Sequence, residues 1–450
     1  MYYILISSII LILLSITIKL KKIPHEEEFT LLLIFISIIS TIKINTGREF
    51  LEYNGESPLR ISLSFITIFC LGILHISKIQ KKKAINVCIL IILINTLLWG
   101  MGISNSVKYY NFIELYADIL LLYLIISNLK YISVNYVIKL VSIFAILNSI
   151  LGIFQFITSK KLLIGAWSES IYFLQETGGQ VKRIVGFAGT NNAAGNLGAI
   201  LFCIALFNFS RQKKLRNFVW LVLSGIFSIL TLTRIGYLAI FVQIGIFFVF
   251  NIKYNGISRR NKYYLIVLSI IVPLVVGIFF AKDIYQILVV NRGFTSDYRI
   301  HQFQLVIENV ISKNFFIGVG PGQLNQYLLS NFSKHEMDLH SQYLNVLVEQ
   351  GFIIFIIFVY FNVSIFTQCI KRHKDPLIRV FVTSLFITSL ITFNYNPNQY
   401  YIINNLLYYI IMFSLLELNF TEKDNIGLSS LKNIMEFFKI NCLDKFKKVR

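Results

Sequence analysis

Long apolar stretches recur along the whole chain, and they limit what it can fold into. A helix that crosses a hydrocarbon layer of about 30 Å needs about 17–25 residues. Thirteen stretches of about this length occur, at roughly 2–20, 29–44, 59–77, 84–101, 111–128, 132–157, 191–210, 217–233, 235–252, 263–281, 341–370, 377–394 and 400–418. We therefore predict an all-α integral membrane protein, a polytopic bundle of about 12–13 transmembrane helices.

Composition excludes the other classes of protein. Hydrophobic residues make up 56% of the 450 residues and charged residues only 14%, so lipid has to solvate the apolar excess. The run from Phe352 to Phe361 is continuously apolar, whereas the strands of a membrane barrel alternate apolar and polar residues. The five cysteines show no CxxC or Cys/His spacing, so neither a disulfide framework nor a zinc site is indicated.

The net charge of +20 is best explained by topology rather than by a nucleic-acid partner. When loops are assigned alternately to the two sides, one side receives 28 Lys and Arg residues and the other 14. The richer side is predicted to be cytoplasmic, which places the N-terminus outside and residues 421–450 inside as a basic tail. Met1 to Ile18 lacks a basic leader and a small-residue cleavage site, so we interpret it as a retained first helix.

The predicted order of segments follows from these spans. It is N-terminal transmembrane helices at 1–158, an external loop at 159–190, transmembrane helices at 191–281, a large external loop at 282–340, C-terminal transmembrane helices at 341–420, and the tail. Residues 218–250 form one largely apolar run, and a single helix of that length would put its two basic flanks on opposite sides. A tight hairpin at Leu232 to Gly236 solves this and places Arg234 at its external tip.

Two arginines on the predicted outer side are candidates for phosphate binding. Arg234 lies at the hairpin tip, and Arg299 lies in a loop helix that we expect to begin near Tyr298, capped by Asp297. A guanidinium carries a permanent charge and a planar fork of donors, which suits bidentate binding of a lipid-linked diphosphate. The alternative is that either arginine extends to the lipid headgroups.

His340 ends the large loop at the head of the eleventh span. An imidazole titrates near neutral pH and can take a proton from a sugar hydroxyl, so His340 is a candidate general base. The alternative is a satisfied polar residue at the interface. His335 and Asp338 precede it in the loop. Glu349 lies nine residues after His340, roughly 13 Å deeper along the predicted helix. An acid at that depth is either a functional residue or part of a structural hydrogen-bond network.

Two further patterns favour structural interpretations. The stretch from Gly318 to Gly322 reads GVGPG, and we interpret it as a turn between two loop helices because no Gly-Lys-Ser/Thr follows it. Glu49, Glu52 and Glu56 are spaced three and four apart, which puts them on one face of a predicted helix. They form either a solvated face or a divalent-metal site with hard oxygen ligands.

Four motifs in this order resemble the O-antigen ligase and O-antigen polymerase (Wzy-type) superfamily of bacterial envelope glycosyltransferases. They are RIVGFAGTNNAAGNLGAI from Arg183, LTRIGYLA from Leu232, DYRIHQFQLVIENVISKNFFIGVGPGQL from Asp297 and HSQYLNVLVEQG from His340. The motifs span about 170 residues of the chain.

The resemblance implies transfer of a glycan from undecaprenyl diphosphate to an acceptor hydroxyl outside the bacterial cytoplasmic (inner) membrane. It implies a metal-independent enzyme without a cofactor, with Arg234 and Arg299 on the diphosphate and His340 as the base. Arg183, Asn191, Glu349 and Asp338 are candidates for supporting roles. The expected partners are the lipid-linked donor, a glycan acceptor, membrane lipid, a chain-length regulator and a flippase.

The preferred function is polymerisation of lipid-linked repeat units of O-antigen, capsule or a related surface polysaccharide. The first alternative is a ligase that transfers glycan to lipid A core or another carrier, which differs only in the acceptor. The second is a lipid-glycan flippase or transporter, a class that commonly shows internal repeats and interrupted helices near the midplane of the membrane. The sequence shows no internal repeat, and its informative polar residues cluster on the predicted outer side.

Overall fold

The computed structural model describes residues 26–52, 55–73, 84–103, 106–174, 180–254, 295–332 and 339–420. The predicted spans at 2–20 and 263–281 and the tail at 421–450 lie outside the described residues. The helices are α1 (Glu26–Ser40), α2 (Leu63–Ile73), α3 (Ala84–Ile103), α4 (Val107–Ser127), α5 (Val134–Thr158), α6 (Asn191–Arg211), α7 (Leu215–Leu230), α8 (Arg234–Tyr254), α9 (Thr295–Val306), α10 (Leu324–Phe332), α11 (Gln342–Arg372), α12 (Pro376–Tyr395) and α13 (Ile402–Glu417).

These helices confirm the predicted polytopic helical membrane fold. Each predicted span within the described residues contains a helix, with ends that differ by a few residues. By length and apolar composition, five of the described helices are able to cross a membrane, namely α4, α5, α6, α11 and α12. Others, such as α7 and α13, are apolar but shorter.

Helix α13 lies at the centre of the bundle. Every residue from Asn404 to Leu416 is buried, so this helix is covered on all sides. It packs against α4, α5, α6, α11 and α12. A helix that is apolar around its whole circumference is expected to be enclosed, either by other helices or by lipid.

The predicted break inside residues 218–250 is confirmed. Helix α7 ends at Leu230 and α8 begins at Arg234, and Leu232 between them has a positive φ of 51°. The two helices do not pack mainly on each other as a hairpin would. Both pack on α6 instead, and α8 also packs on α12.

The basic loops that were predicted to be cytoplasmic meet at one end of the bundle. Arg211 at the end of α6 stacks on Phe420 at 5.2 Å, and the Arg372 guanidinium donates to the Asn419 side chain at 2.9 Å. We call this the basic end. Helices α6 and α11 each run toward the basic end, so both begin at the opposite end. Helix α8 begins there too, because the Thr233 hydroxyl directly before it donates to the Asn191 carbonyl oxygen at the start of α6.

Two short antiparallel hairpins add strands that the sequence did not predict. Strands β1 (Lys43–Glu52) and β2 (Gly55–Ser62) form the first, and β3 (Tyr172–Leu174) and β4 (Gln180–Lys182) form the second. The helical face proposed for Glu49, Glu52 and Glu56 is therefore wrong. The spacing of three residues that unites two side chains on a helix sends them to opposite faces of a strand.

The large loop also differs from the prediction in detail. Helix α9 begins at Thr295, so Asp297 lies inside the helix and does not cap it. A π-helical turn at Ile307–Ile311 follows and shifts the helical register. Val306 and Val310 are buried at this turn, whereas Ile307 is 53% exposed.

Candidate functional site

The start of α8 packs very closely on the first turns of α6. A Cβ atom on Gly236 would lie 2.8 Å from the Gly195 carbonyl oxygen, and one on Gly195 would overlap the Thr233 side chain directly before α8. Only glycine allows these distances, because any larger side chain would meet the facing helix. The motif that begins at Arg183 and the motif that contains Arg234 are therefore adjacent in space. We call this packing the α6–α8 contact.

Arg183 ties the turn before Arg234 to the rest of the protein. It is buried, its Nε donates to the Thr231 carbonyl oxygen at 2.9 Å, and a terminal nitrogen donates to the Thr233 hydroxyl at 3.0 Å. The Thr233 hydroxyl in turn donates to the Asn191 carbonyl oxygen at 3.1 Å. These bonds fix the start of α8 against the start of α6, and they leave Arg234 half-buried as the first residue of α8.

A cluster of buried asparagines continues from the start of α6 to the segment between α12 and α13. Asn396 donates to the Asn196 side chain at 2.7 Å, and Asn196 donates to Asn398 at 3.2 Å. Asn404 donates to the Ala193 carbonyl oxygen at 3.0 Å. Buried amides bonded in this way hold one arrangement of the segments they join.

Sequence reasoning missed these asparagines. The run FNYNPNQY at 393–400 was the available signal, since it places several amides and a proline between two apolar spans. It carries no motif of its own, and its partner Asn196 lies some 200 residues away in the chain. The role of the run appears only when the helices are assembled.

His340 lies at the same end of the bundle and connects to this cluster. Its Nδ1 is 3.4 Å from the Gln302 Oε1 on α9, and the ring is half-buried. The next residue, Ser341, caps α11 by accepting from the Leu344 amide at 3.1 Å, and its hydroxyl donates to Asn394 at 3.3 Å. Asn394 is two residues before Asn396, so the start of α11 and the start of α6 are joined through one short segment.

The glycine-rich turn packs on a break in α11. Gly351 has φ 81° and ψ 172°, which interrupts the helix. The Val319 and Gly320 amides donate to the carbonyl oxygens of Val348 and Glu349 at 3.1 Å and 2.8 Å, and the Phe352 amide donates to Phe315 at 2.8 Å. The turn thus satisfies backbone groups that the break would leave without partners. We call this packing the turn–α11 contact.

Glu349 stabilises that turn. It is 1% exposed, and its carboxylate accepts from the Gly322 amide at 2.9 Å and from the Leu324 amide at 3.3 Å, at the start of α10. A carboxylate at a helix N-terminus makes charge-assisted bonds to amides that have no partner within the helix. Of the two interpretations for Glu349, these contacts favour the structural one. Helix α11 is regular from Gln342 to Gln350, so Glu349 lies before the break at Gly351.

The other predicted site residues are only partly described. Arg299 lies in α9 one turn before Gln302, and its side chain lies outside the described residues, as do His335 and Asp338. Asn191 is half-buried, and its side chain accepts from the Asn192 amide at 2.7 Å. Among the residues that the structure describes, no three His, Cys, Asp or Glu side chains form a group suited to a metal ion.

Together, these contacts define a multi-pass helical membrane protein with a polar site at the end opposite its basic loops. Residues 218–359 match the family model described as O-antigen ligase, and this segment contains Arg234, Arg299, His340 and Glu349. This match covers about a third of the chain and supports the resemblance to the O-antigen ligase and polymerase superfamily that the motifs predict. No curated protein matches the chain.

Proposed function

We propose that this protein is a glycosyltransferase that polymerises glycan repeat units carried on undecaprenyl diphosphate. The observation that carries the proposal is the O-antigen ligase domain at 218–359, because it contains both candidate arginines and the candidate base. Proteins of this family act generally on glycans and lipid-linked substrates. The reaction joins the reducing-end sugar of a donor to a hydroxyl of an acceptor.

The donor diphosphate binds to Arg234 and Arg299 in this proposal. Arg234 is held at the first turn of α8 by the bonds from Arg183 and Thr233 that fix this turn. Arg299 precedes Gln302 by one turn of α9, and Gln302 contacts His340. A diphosphate needs positive charge that does not depend on pH, and guanidinium groups supply it while they stabilise the leaving group.

His340 takes the proton of the acceptor hydroxyl. As that proton moves to the imidazole, the acceptor oxygen forms a bond to the anomeric carbon of the donor. The bond from that carbon to the diphosphate oxygen breaks, and undecaprenyl diphosphate leaves with the electron pair. General base catalysis of this kind contributes about 10²–10⁴-fold in rate. Gln302 and the cap at Ser341 hold the imidazole in place.

The site faces the outer side of the cytoplasmic membrane in this proposal. The loops around Arg211 and Arg372 lie at the basic end, and the excess of Lys and Arg that is typical of cytoplasmic loops supports an external position for the opposite end. No nucleotide sugar is expected there, so the donor has to arrive with its own leaving group. A flippase would deliver it, and a chain-length regulator would set when polymerisation stops.

The ligase alternative keeps the same donor chemistry and changes the acceptor to lipid A core or another carrier. The polymerase is preferred because a chain with long external loops suits many different repeat units. The two functions differ in the product that is made from one lipid-linked donor. A purified protein that elongates lipid-linked repeats without added lipid A core is a polymerase.

His340→Ala tests the proposal in purified protein reconstituted with a lipid-linked repeat unit. We expect the rate of glycan transfer to fall at least about 100-fold, whereas the affinity for the donor stays nearly unchanged, because the base acts on the acceptor. His301→Ala is the matched control, since His301 is exposed on α9 next to Gln302. A normal transfer rate in His340→Ala would exclude His340 as the base.

A further inference from the structure

A cavity of about 550 Å³ lies beside the candidate site and outside the family domain. Its walls come from the β1–β2 hairpin, the loop after α5, the start of α6 and the segment that leads into α13. All of its described lining residues fall before residue 218 or after residue 359. Within the part of the chain that the structure describes, the matched domain therefore contributes nothing to it.

The cavity is basic, and the hairpin register explains part of that charge. Lys43, Arg60 and Lys161 line it. Lys43 is paired with Ser62 and Arg60 with Asn45, so Lys43 and Arg60 are diagonal neighbours on one face of the hairpin. Residues of the opposite face, Ile44 and Ile61, pack with Ile66 and Cys70.

Among the described residues, two acids lie near these three cations, and neither lines the cavity. Lys161 forms an ion pair with Glu169 at 2.7 Å, and the buried Glu114 accepts a hydrogen bond from the Ser62 hydroxyl. Lys43 and Arg60 are both exposed cations. The cavity therefore presents net positive charge to whatever enters it.

The cavity and Arg234 flank the same turn of α6. Thr190, which precedes the helix, and Ala193 line the cavity, whereas Asn191 and Gly195 contact Thr233 and Gly236 on the other side. One helix, about 10–12 Å across with its side chains, therefore separates the two. The positive end of the α6 dipole adds to the attraction for an anion on the cavity side.

We propose that this cavity is the acceptor site, where the phosphate-bearing head of a second lipid-linked glycan binds. The inference rests on the proposed function, because it assigns the donor to Arg234 and the acceptor to the neighbouring cavity. A transferase with two glycolipid substrates has two diphosphate heads to bind, and this cavity offers the second head a basic site outside the matched domain. Tyr400 and Tyr401 line the cavity and offer apolar ring faces with polar hydroxyls to a sugar.

The stoichiometry of lipid binding tests this assignment. Labelled undecaprenyl diphosphate is titrated into the full-length protein in nanodiscs of zwitterionic lipid, with and without inorganic diphosphate as competitor. We expect two bound lipids per chain, both displaced by inorganic diphosphate. The Lys43→Gln/Arg60→Gln double variant should bind one lipid, and Arg234→Gln should also bind one. Lys160→Gln/Lys313→Gln removes two exposed charges outside the cavity and should keep both.

The outcomes separate the two claims. The acceptor site is refuted if the Lys43/Arg60 variant still binds two lipids, or if the wild-type protein binds only one. In either case, Arg234→Gln tests the donor assignment separately. If Arg234→Gln keeps two lipids and the Lys43/Arg60 variant loses one, the donor assignment is refuted and the cavity remains a lipid-diphosphate site. If inorganic diphosphate does not displace a lipid, the protein binds that lipid by its undecaprenyl tail. That result also refutes recognition of the diphosphate head.

Transfer kinetics give a second readout that a merely unfolded variant would not reproduce. In the Lys43/Arg60 variant we expect the KM for the acceptor to rise at least about 100-fold, because two charge-assisted contacts to the acceptor diphosphate are lost. The KM for the donor should not change. An equal rise in both values would mean that the hairpin supports the whole site and does not bind the acceptor.

Discussion

Two glycine-dependent contacts hold this site together, and they are built differently. In the α6–α8 contact, two regular helices approach closely through Gly195 and Gly236, and side-chain bonds from Arg183 and Thr233 hold the turn beside them. In the turn–α11 contact, irregular backbone meets a broken helix, and main-chain bonds and Glu349 hold it. The first fixes the start of α8, and the second fixes the segment that follows His340.

This difference indicates which of the two contacts tolerates substitutions less well. Regular helices satisfy their own backbone groups, so the α6–α8 contact needs only small residues. The turn–α11 contact needs small residues, positive φ angles and partners for every backbone group that the break exposes. Gly318, Gly320, Gly322 and Gly351 all have positive φ, between 71° and 100°. We therefore expect substitutions in the turn–α11 contact to cost more stability than substitutions in the α6–α8 contact.

The largest effect is expected from Gly351→Ala. A methyl group there would overlap the Phe316 carbonyl oxygen, and the φ of 81° disfavours any L side chain. Overpacking and left-handed strain together should lower the free energy of unfolding by about 2–5 kcal/mol. Thermal unfolding in detergent measures this. Gly165→Ala is the control, because Gly165 has a φ of 84° with open space around it, so it reports strain alone. Equal losses at both positions would argue against close packing at the break.

Gly236→Ala should have a smaller effect on stability and should also affect the proposed donor site at Arg234. The added methyl would lie 2.8 Å from the Gly195 carbonyl oxygen, which is backbone and has little freedom to move. We expect a loss of about 1–3 kcal/mol and weaker donor binding, since the start of α8 has to shift. Gly245→Ala on the same helix meets no atom within 4 Å and should leave both quantities unchanged. If the two variants behave alike, α8 does not depend on this close approach.

Glu349→Gln should have the smallest effect on stability. The amide keeps the size of the side chain and one acceptor oxygen, but it loses the charge that both the Gly322 and Leu324 amides use. A loss of about 1–2 kcal/mol follows from weakening these charge-assisted bonds. Glu308→Gln, at an exposed acid in the neighbouring π-helical turn, is the control for the change of charge. A melting temperature equal to that of the wild-type protein would remove Glu349 from this network.

Hydropathy and charge were sufficient to predict most of the fold. The helices follow the predicted spans, and the break before Arg234 was predicted from the basic flanks of one long apolar run. The hairpin at Lys43 to Ser62 was not predicted, because its outward face is charged and the glutamate spacing also matches a helix. Local patterns do not specify which periodicity tertiary packing will select.

The candidate site was predictable in its residue types but not in its supports. Arg234 and His340 are conspicuous in the sequence because a charged or titratable residue at the edge of an apolar span is costly and is often functional. The bonds of Arg183 to the turn before α8 join residues about 50 positions apart, and the asparagine cluster joins residues about 200 apart. Such partners become evident only when the helices are packed together.

The claim that a guanidinium at the start of α8 binds the donor diphosphate has a direct test. Arg234→Lys keeps the charge and removes the planar fork, so it should cost one charge-assisted hydrogen bond of about 1.5–3 kcal/mol. Turnover of lipid-linked donor by the reconstituted protein should then fall about 10-fold to 100-fold. Arg216→Lys, at an exposed arginine near the basic end, should not change it. Wild-type turnover in Arg234→Lys would contradict the assignment of the donor to this arginine.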